Sequence, residues 1–432
     1  VSDFNSTVGV EEGITVVSVS QGSINNLASA LLDAAEGKIG AQDLPTMAAI
    51  YAETAFILAG QEKLVDLDAY FTADELKAYV PGFIEEGRMT ENGPLVLFPA
   101  SKSTECFAAN VTDWADFAAA TGVTPESITT YEQLTAAAQK YYEWTDSLTP
   151  DVAEDGKALY GRDSVANYVY IGAKQLGHEV FKVSADGSMT MGMDRVTFKK
   201  LWDNYYIPFI NGYFAAEANF RSEDMKTGVV LAVTCSSSGV GYLPTVVTDA
   251  DDQTHDISLS IAHQVVFGGM KEVAVQQGAG YCVLKGTEAQ QFAAAEFLKW
   301  FTDSERNLLF SVSSGYSPVT PAANGAESIK KAFVGSGDNV KDANTLNALL
   351  VSADVYLNVE TSTNKPFNGC MDARDVLGDT LANTCTQDRA AVVEAIAGGK
   401  TRAEAVAPFE TDEYFDAWFD NLCAAITKTV GK

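Results

Sequence analysis

The chain is short of the residues that most often carry catalysis or metal chemistry. In 432 residues there are three histidines, His178, His255 and His263, scattered singly, and a structural role is expected for each. Six cysteines (Cys106, Cys235, Cys282, Cys370, Cys385, Cys423) stand alone without a CxxC pair, which argues against a zinc ribbon or a redox dithiol. Cys106, Cys235 and Cys282 fall in apolar strand-like runs and read as small core residues. Cys370 and Cys385 share one helical stretch, which would hold them too far apart to bridge. No Gly-x-Ser-x-Gly elbow, HExxH, P-loop or Cys/His nucleophile arrangement occurs. No metal, no cofactor and no enzymatic activity are expected.

Positive charge is scarce as well. The 29 Lys and Arg face 58 Asp and Glu, a formal net charge of −29. Such a surface repels phosphate backbones and anionic lipid, so nucleic acid and electrostatic membrane binding are poor partners. Solubility alone is sufficient reason for the acidity. No window approaches the roughly 18 consecutive apolar residues of a transmembrane helix. Internal repeats and low-complexity linkers are also missing, so any domains would be joined by short strand-like crossings.

What the chain does have is core. A content of 47% hydrophobic residues is enough for two or three domains. Val1 to Asn5 reads as the tail of a helix already under way, and removal of an upstream segment is expected, a secretory signal being one candidate. A βα rhythm follows: Ile14 to Val19 as a β-branched strand, Asn25 to Ala35 as helix, Leu44 to Tyr51 as a second strand, Ala55 to Ala59 as helix, and a capping box at Thr72. Alternation of this kind predicts an α/β fold with parallel sheets covered by helices, and ligands at the carboxyl ends of the strands. Those ends are Ser20 to Ser23, Tyr51 to Glu53 and Ser101 to Glu105, all polar or aromatic.

The last of these is central. Leu95 to Phe98 predicts a buried strand, Pro99 is expected to end its pairing, and Ser101, Lys102, Ser103, Thr104 and Glu105 follow without a helical stripe. Further on, Gly228 to Thr234 predicts a core strand that empties into the hydroxyl-rich loop Cys235 to Gly239, whose backbone N–H groups suit anions or sugar hydroxyls. Ala279 to Leu284 predicts another strand, Thr287 to Phe301 an apolar helix, and Ser314 to Val319 a turn with Tyr316 at its centre. Helices are expected over Lys330 to Val351, Met371 to Ile396, Thr401 to Ala407 and Asp412 to Thr429.

Four motifs in this order, FPASKSTE with the later Asn110, QQGAGYCVL followed by AAAEFLKWFTD, SSGYSPVTPAA, and GKTRAEAVA before the last helix, resemble the family 1 extracellular solute-binding proteins of bacterial ABC importers. Order and spacing look closest to the glycerol-3-phosphate-binding branch, itself similar to maltose-binding proteins. The resemblance implies two α/β lobes joined by hinge strands, the first formed by 1–109 and 275–318 and the second by 110–274 and 319–432. It implies a monomer at the outer face of the membrane or in the periplasm, lipid-anchored or free. There it would hold a small polar solute, a sugar or glycerol phosphate, for the importer's membrane subunits.

The resemblance also supplies a ligand-binding set. Tyr51 matches the branch's strand-end tyrosine, with its acid displaced from Ala52 to Glu53. The crossing loop offers Ser101, Lys102, Ser103 and Thr104, with Lys102 and Glu105 departing from the pattern and Lys102 equally suited to a hinge ion pair. Ser236, Ser237 and Ser238 match the serine loop, Gly278 the glycine before the return strand and Tyr316 the aromatic turn. Asn167 joins the set from a new helix, whereas Tyr168 and Trp202 read as core or rim. The branch's phosphate-binding arginine falls near Lys365-Pro366 and is not reproduced. Arg374 reads as a helix-surface residue in an ion pair, with a cleft role as the alternative. Two other readings compete: a surface adhesion or scaffold protein on the same fold, and a glycoside hydrolase, whose carboxylate pair any chain with 58 acids could supply.

Overall fold

A computed structural model describes residues 1–152, 154–184, 187–249, 252–337 and 343–431. Two sheets organise the chain. The first has the order Met47–Ile50, Gln277–Val283, Phe98–Ser103, and the second Leu259–Ala262, Glu105–Asn110, Ala232–Ser236, Tyr160–Arg162. Helices flank both, in the α/β arrangement expected.

The pairing is not mainly parallel as expected. Gln277–Val283 returns from the second sheet and inserts between two outgoing strands, so it runs antiparallel to each. In the second sheet Glu105–Asn110 is antiparallel to both neighbours, and only Tyr160–Arg162 runs parallel to Ala232–Ser236. Insertion of a returning strand decided this, and helix-strand alternation along the sequence does not reveal it.

Neither does Pro99 end the pairing. It lies within Phe98–Ser103 opposite Gly280, where the register shifts between Ala279 and Gly280. An irregular ladder spares the N–H that proline lacks. The strand expected over Ile14 to Val19 is absent as well. The segment carries no assigned secondary structure, with Val17 78% and Val19 75% exposed. Only the Asn5 amide, which donates to the Val16 carbonyl and accepts from its N–H at 2.8 Å each, does what a neighbouring strand would do. β-Branched composition describes fitness for a sheet and does not supply a partner.

Hydroxyl caps open several helices, the predicted box at Thr72 among them. Thr72, Thr130, Thr287 and Thr401 each close a capping box, and Ser164 accepts from the Asn167 N–H. Helix is found over Ala326–Gly335 and Ala343–Asn358, and the part of the expected Lys330 to Val351 helix that falls at 338–342 lies outside the described residues. The largest apolar cluster fills the second sheet's side. There Trp202 stacks on Tyr206 with centroids 3.5 Å apart, so Trp202 is core.

The return path carries a pH-dependent contact. His263 Nδ1 lies 2.9 Å from Glu272 and Nε2 3.0 Å from Asp354, tying the end of Leu259–Ala262 to the helix Ala343–Asn358. The hydrogen bond to Glu272, opposed by burial, raises its pKa above the ordinary 6.5. A raised folded-state pKa contributes stability that is fully present below the unfolded value and lost as pH rises through the folded one. The melting difference between the wild type and His263→Gln should therefore be largest near about pH 6 and shrink by about pH 8. A difference that grew with pH would show that the imidazole is not held as a cation.

Candidate functional site

Where the chain passes from one sheet to the other, two buried polar clusters stand side by side. On the first sheet's side Lys102, 1% exposed, pairs with Glu86 at 2.7 Å and donates to the Gly278 carbonyl at 3.3 Å. The Gln276 amide donates to the other Glu86 oxygen and to Gly82. Ser317 N–H donates to the Lys102 carbonyl at 2.7 Å, so the turn carrying Tyr316 is pinned to the same strand. Gly278 has φ +107°, and a Cβ there would lie 2.1 Å from the Ser101 carbonyl oxygen. Only glycine lets the two strands approach this closely.

On the second side Glu105 is the hub. One oxygen accepts from Arg162 at 2.5 Å, the other from Asn167 Nδ2 at 2.9 Å. Asn167 Nδ2 also donates to Gln277 Oε1 at 2.9 Å, and its Oδ1 accepts from Arg374 at 2.7 Å. Every polar position of that amide is used, which fixes its orientation and aims the Arg374 guanidinium. Arg374 also donates to Ser164 at 3.4 Å and lies over Tyr170 at 5.7 Å.

Between the clusters opens a cleft of about 1170 Å³. It brings together Tyr51, Glu53, Ser103, Asn167, Ser236, Ser238, Gly278 and Tyr316 from the predicted set. Four others stand outside its lining. Lys102 is spent on Glu86, the hinge ion pair that its sequence context equally allowed. Ser237 accepts from the Thr104 N–H and donates its own N–H to the Thr104 carbonyl, so these two brace the crossing. Ser101 sits on the strand beneath Gly278, opposite Ala279.

Aromatic and hydroxyl groups line the cleft walls together. Tyr51 precedes the helix Ala52–Gly60, whose first turn holds Glu53. Tyr316 lies parallel to Phe310 at 6.2 Å, and the neighbouring Gly315 packs against the backbone of Ser238. Ser236 and Ser238 share a hydroxyl contact of 3.0 Å. Burial, then Tyr316 and Glu53, hold the Tyr51 phenol above its usual range, with Arg374 opposing. Burial raises Tyr170 too, and Arg374 is again the main opposing group.

Several lining residues escaped sequence reasoning: Glu86, Tyr170, Lys174, Gln276 and Gln277. For Arg374 the cleft alternative holds, since it lines the cleft and bonds Asn167 and Ser164 instead of a surface acid. Lys365 lines the cleft also. His178 lies at the cleft's outer end, beside a hollow of about 320 Å³ between Lys174 and Lys182.

Solved structures share this architecture at low identity. UgpB from Mycobacterium tuberculosis, in complex with glycerophosphocholine, is 15% identical with a TM-score of 0.69, over 99% of this chain and 94% of that one. The cyclic α-maltosyl-1,6-maltose binding protein from Arthrobacter globiformis is 17% identical with a TM-score of 0.67, over 99% and 95%. A solute-binding protein from Agrobacterium radiobacter K84, in complex with ribitol, is 17% identical with a TM-score of 0.62, over 100% and 94%. No curated protein sequence matches the chain. At these identities the likeness is one of two-lobe fold, and what establishes kinship is a family model that matches residues 1–333. The chain belongs to the bacterial extracellular solute-binding proteins.

Proposed function

We propose that this protein captures a polyhydroxy solute, a sugar, polyol or glycerophosphodiester, between its two lobes and hands it to an ABC importer's membrane subunits. The family is one of binding proteins. The observation that carries the proposal is the cleft of about 1170 Å³, lined together by Tyr51, Tyr316, Ser236, Ser238 and Arg374. That volume is at the upper end of small-molecule sites and suits a ligand of two or more sugar units, or an extended diester. Tyrosine faces would cover the carbon skeleton, and the serines, Glu53 and Arg374 would take hydroxyls or an anionic group.

The inferred lobes are built on the two sheets. The resemblance draws them as 1–109 with 275–318 and 110–274 with 319–432; the change of sheet falls at Thr104, and residues 105–109 pair in the second sheet. A ligand touching both lobes favours a closed form by its differential contacts.

Thermal shift with maltotriose, ribitol and glycerophosphocholine tests this. A ligand at about 100 times its Kd adds about 2.7 kcal/mol of stability, which moves the melting midpoint clearly. A shift with one of the three at submillimolar concentration is expected. No shift with any sugar, polyol or phosphodiester in the millimolar range would sink the receptor reading and leave the scaffold one.

A further inference from the structure

Among the described phenylalanines only Phe220 and Phe292 are exposed, at 63% and 46%, and of these two only Phe220 lines the cleft. Its ring is carried on a braced loop. Arg221 and Asp224, 4% and 1% exposed, pair with each other, and the Arg221 guanidinium also donates to the Ala218 carbonyl. The two Asp224 oxygens accept the N–H groups of Glu217 at 3.2 Å and Ala218 at 2.8 Å. The Arg221 N–H donates to Asp163 at 2.9 Å, just past the strand Tyr160–Arg162. Gly161 in that strand leaves the room that the Arg221 stem occupies, since a Cβ there would lie 2.9 Å from it. A buried charge pair and its hydrogen bonds therefore fix the backbone on both sides of a ring that is itself left open to solvent.

We infer that Phe220 is a stacking platform for a sugar ring, and that the solute is accordingly an oligosaccharide of pyranose units and not an acyclic polyol or a glycerophosphodiester. This rests on the receptor reading above and narrows its ligand class. A phenyl group has no hydrogen-bonding atom, so it contributes only by covering carbon–hydrogen surface. A pyranose has such surface on its two faces and carries its hydroxyls at the rim, whereas ribitol and glycerol have no ring face to lay on the phenyl. Asn25, Ser236 and Ser238 belong to the same lining, so the rim hydroxyls of a stacked ring have partners within the cleft. More than one ring is called for, because Tyr51 and Tyr316 line the cleft as well and its volume of about 1170 Å³ exceeds what one monosaccharide fills. The braced loop also matters to affinity, since a platform whose backbone is already fixed loses little freedom when the ligand arrives.

Calorimetry on the full chain with maltotriose, cellotriose, ribitol and glycerophosphocholine provides the test. The wild type should bind one of the two trisaccharides more tightly than ribitol or glycerophosphocholine. Phe220→Ala should weaken that binding about tenfold or more. Phe220→Tyr keeps the ring face and should stay within a few-fold of the wild type, while Phe220→Leu keeps an apolar side chain without the face and should lose as much as alanine. The unliganded melting temperature should not move in any of the three, because the side chain is exposed. Full trisaccharide affinity in Phe220→Ala or Phe220→Leu would overturn the platform and leave the receptor reading standing. Wild-type binding confined to ribitol or glycerophosphocholine would overturn the oligosaccharide class in the same way, and a loss in Phe220→Ala seen for glycerophosphocholine alone would give the ring to a quaternary ammonium instead. Failure of the wild type to bind any of the four at millimolar concentration would sink the receptor reading and this inference with it.

Discussion

Glu105→Ala should be the most damaging single substitution at the lobe crossing, lowering stability by about 3–5 kcal/mol. Glu105 is 5% exposed and Arg162 3% exposed. Removing the carboxylate leaves a guanidinium buried with only neutral partners, the Tyr131 hydroxyl and the Ser164 carbonyl. It also strips Asn167 of one acceptor, so the amide that aims Arg374 loses an anchor. Two losses follow, one in denaturant midpoint and one in ligand affinity. Glu105→Gln keeps the shape and one acceptor, and should fall between the wild type and the alanine variant in both. Urea titration followed by calorimetry on the surviving folded protein separates the effects. A stability loss below about 1 kcal/mol would mean that Arg162 reaches water or another acid, and the hub assignment would fail.

Tyr316→Ala should raise the Kd of whichever ligand the screen identifies by about 30-fold, equal to about 2 kcal/mol, because a large ring face is replaced by a methyl. The turn that presents the ring does not depend on it. Ser317 N–H and the packing of Gly315 against Ser238 are backbone contacts, so the unliganded melting temperature should move little. Tyr316→Phe keeps the face and should stay within a few-fold of the wild type. If alanine and phenylalanine weakened binding equally, the phenol hydroxyl would be the contact instead of the ring. Unchanged affinity in both would remove Tyr316 from the site.

Much of this was legible in the chain. Caps at Thr72, Thr130, Ser164, Thr287 and Thr401 are local chemistry, in which a hydroxyl meets an N–H two or three residues on, and the sequence places them without reference to the rest of the fold. The polar residues at strand ends were legible for the same reason. A core strand cannot continue through Ser101 to Glu105 as apolar structure, and a hydroxyl-rich loop after Thr234 stands out against its surroundings. Those signals found Tyr51, Glu53, Ser103, Ser236 and Ser238, and the resemblance-based set added Asn167, Gly278 and Tyr316; all of them line one cleft.

Tertiary structure decided which polar residue meets a ligand and which meets another polar residue. Lys102, Ser103, Thr104 and Glu105 look alike in sequence, but alternation along two successive strands sends Ser103 to the cleft, Lys102 to Glu86 and Glu105 to Arg162. Arg374 sits on a long helix whose periodicity says nothing of Asn167, which lies about two hundred residues earlier in the chain. Strand direction was hidden in the same way, because Gln277–Val283 enters the first sheet only after the chain has built the second. Local hydrogen bonds and burial preference are properties of a segment and can be read from it. The partner of a buried charge depends on which distant segment the fold brings within about 3 Å, and the linear order of residues does not contain that distance.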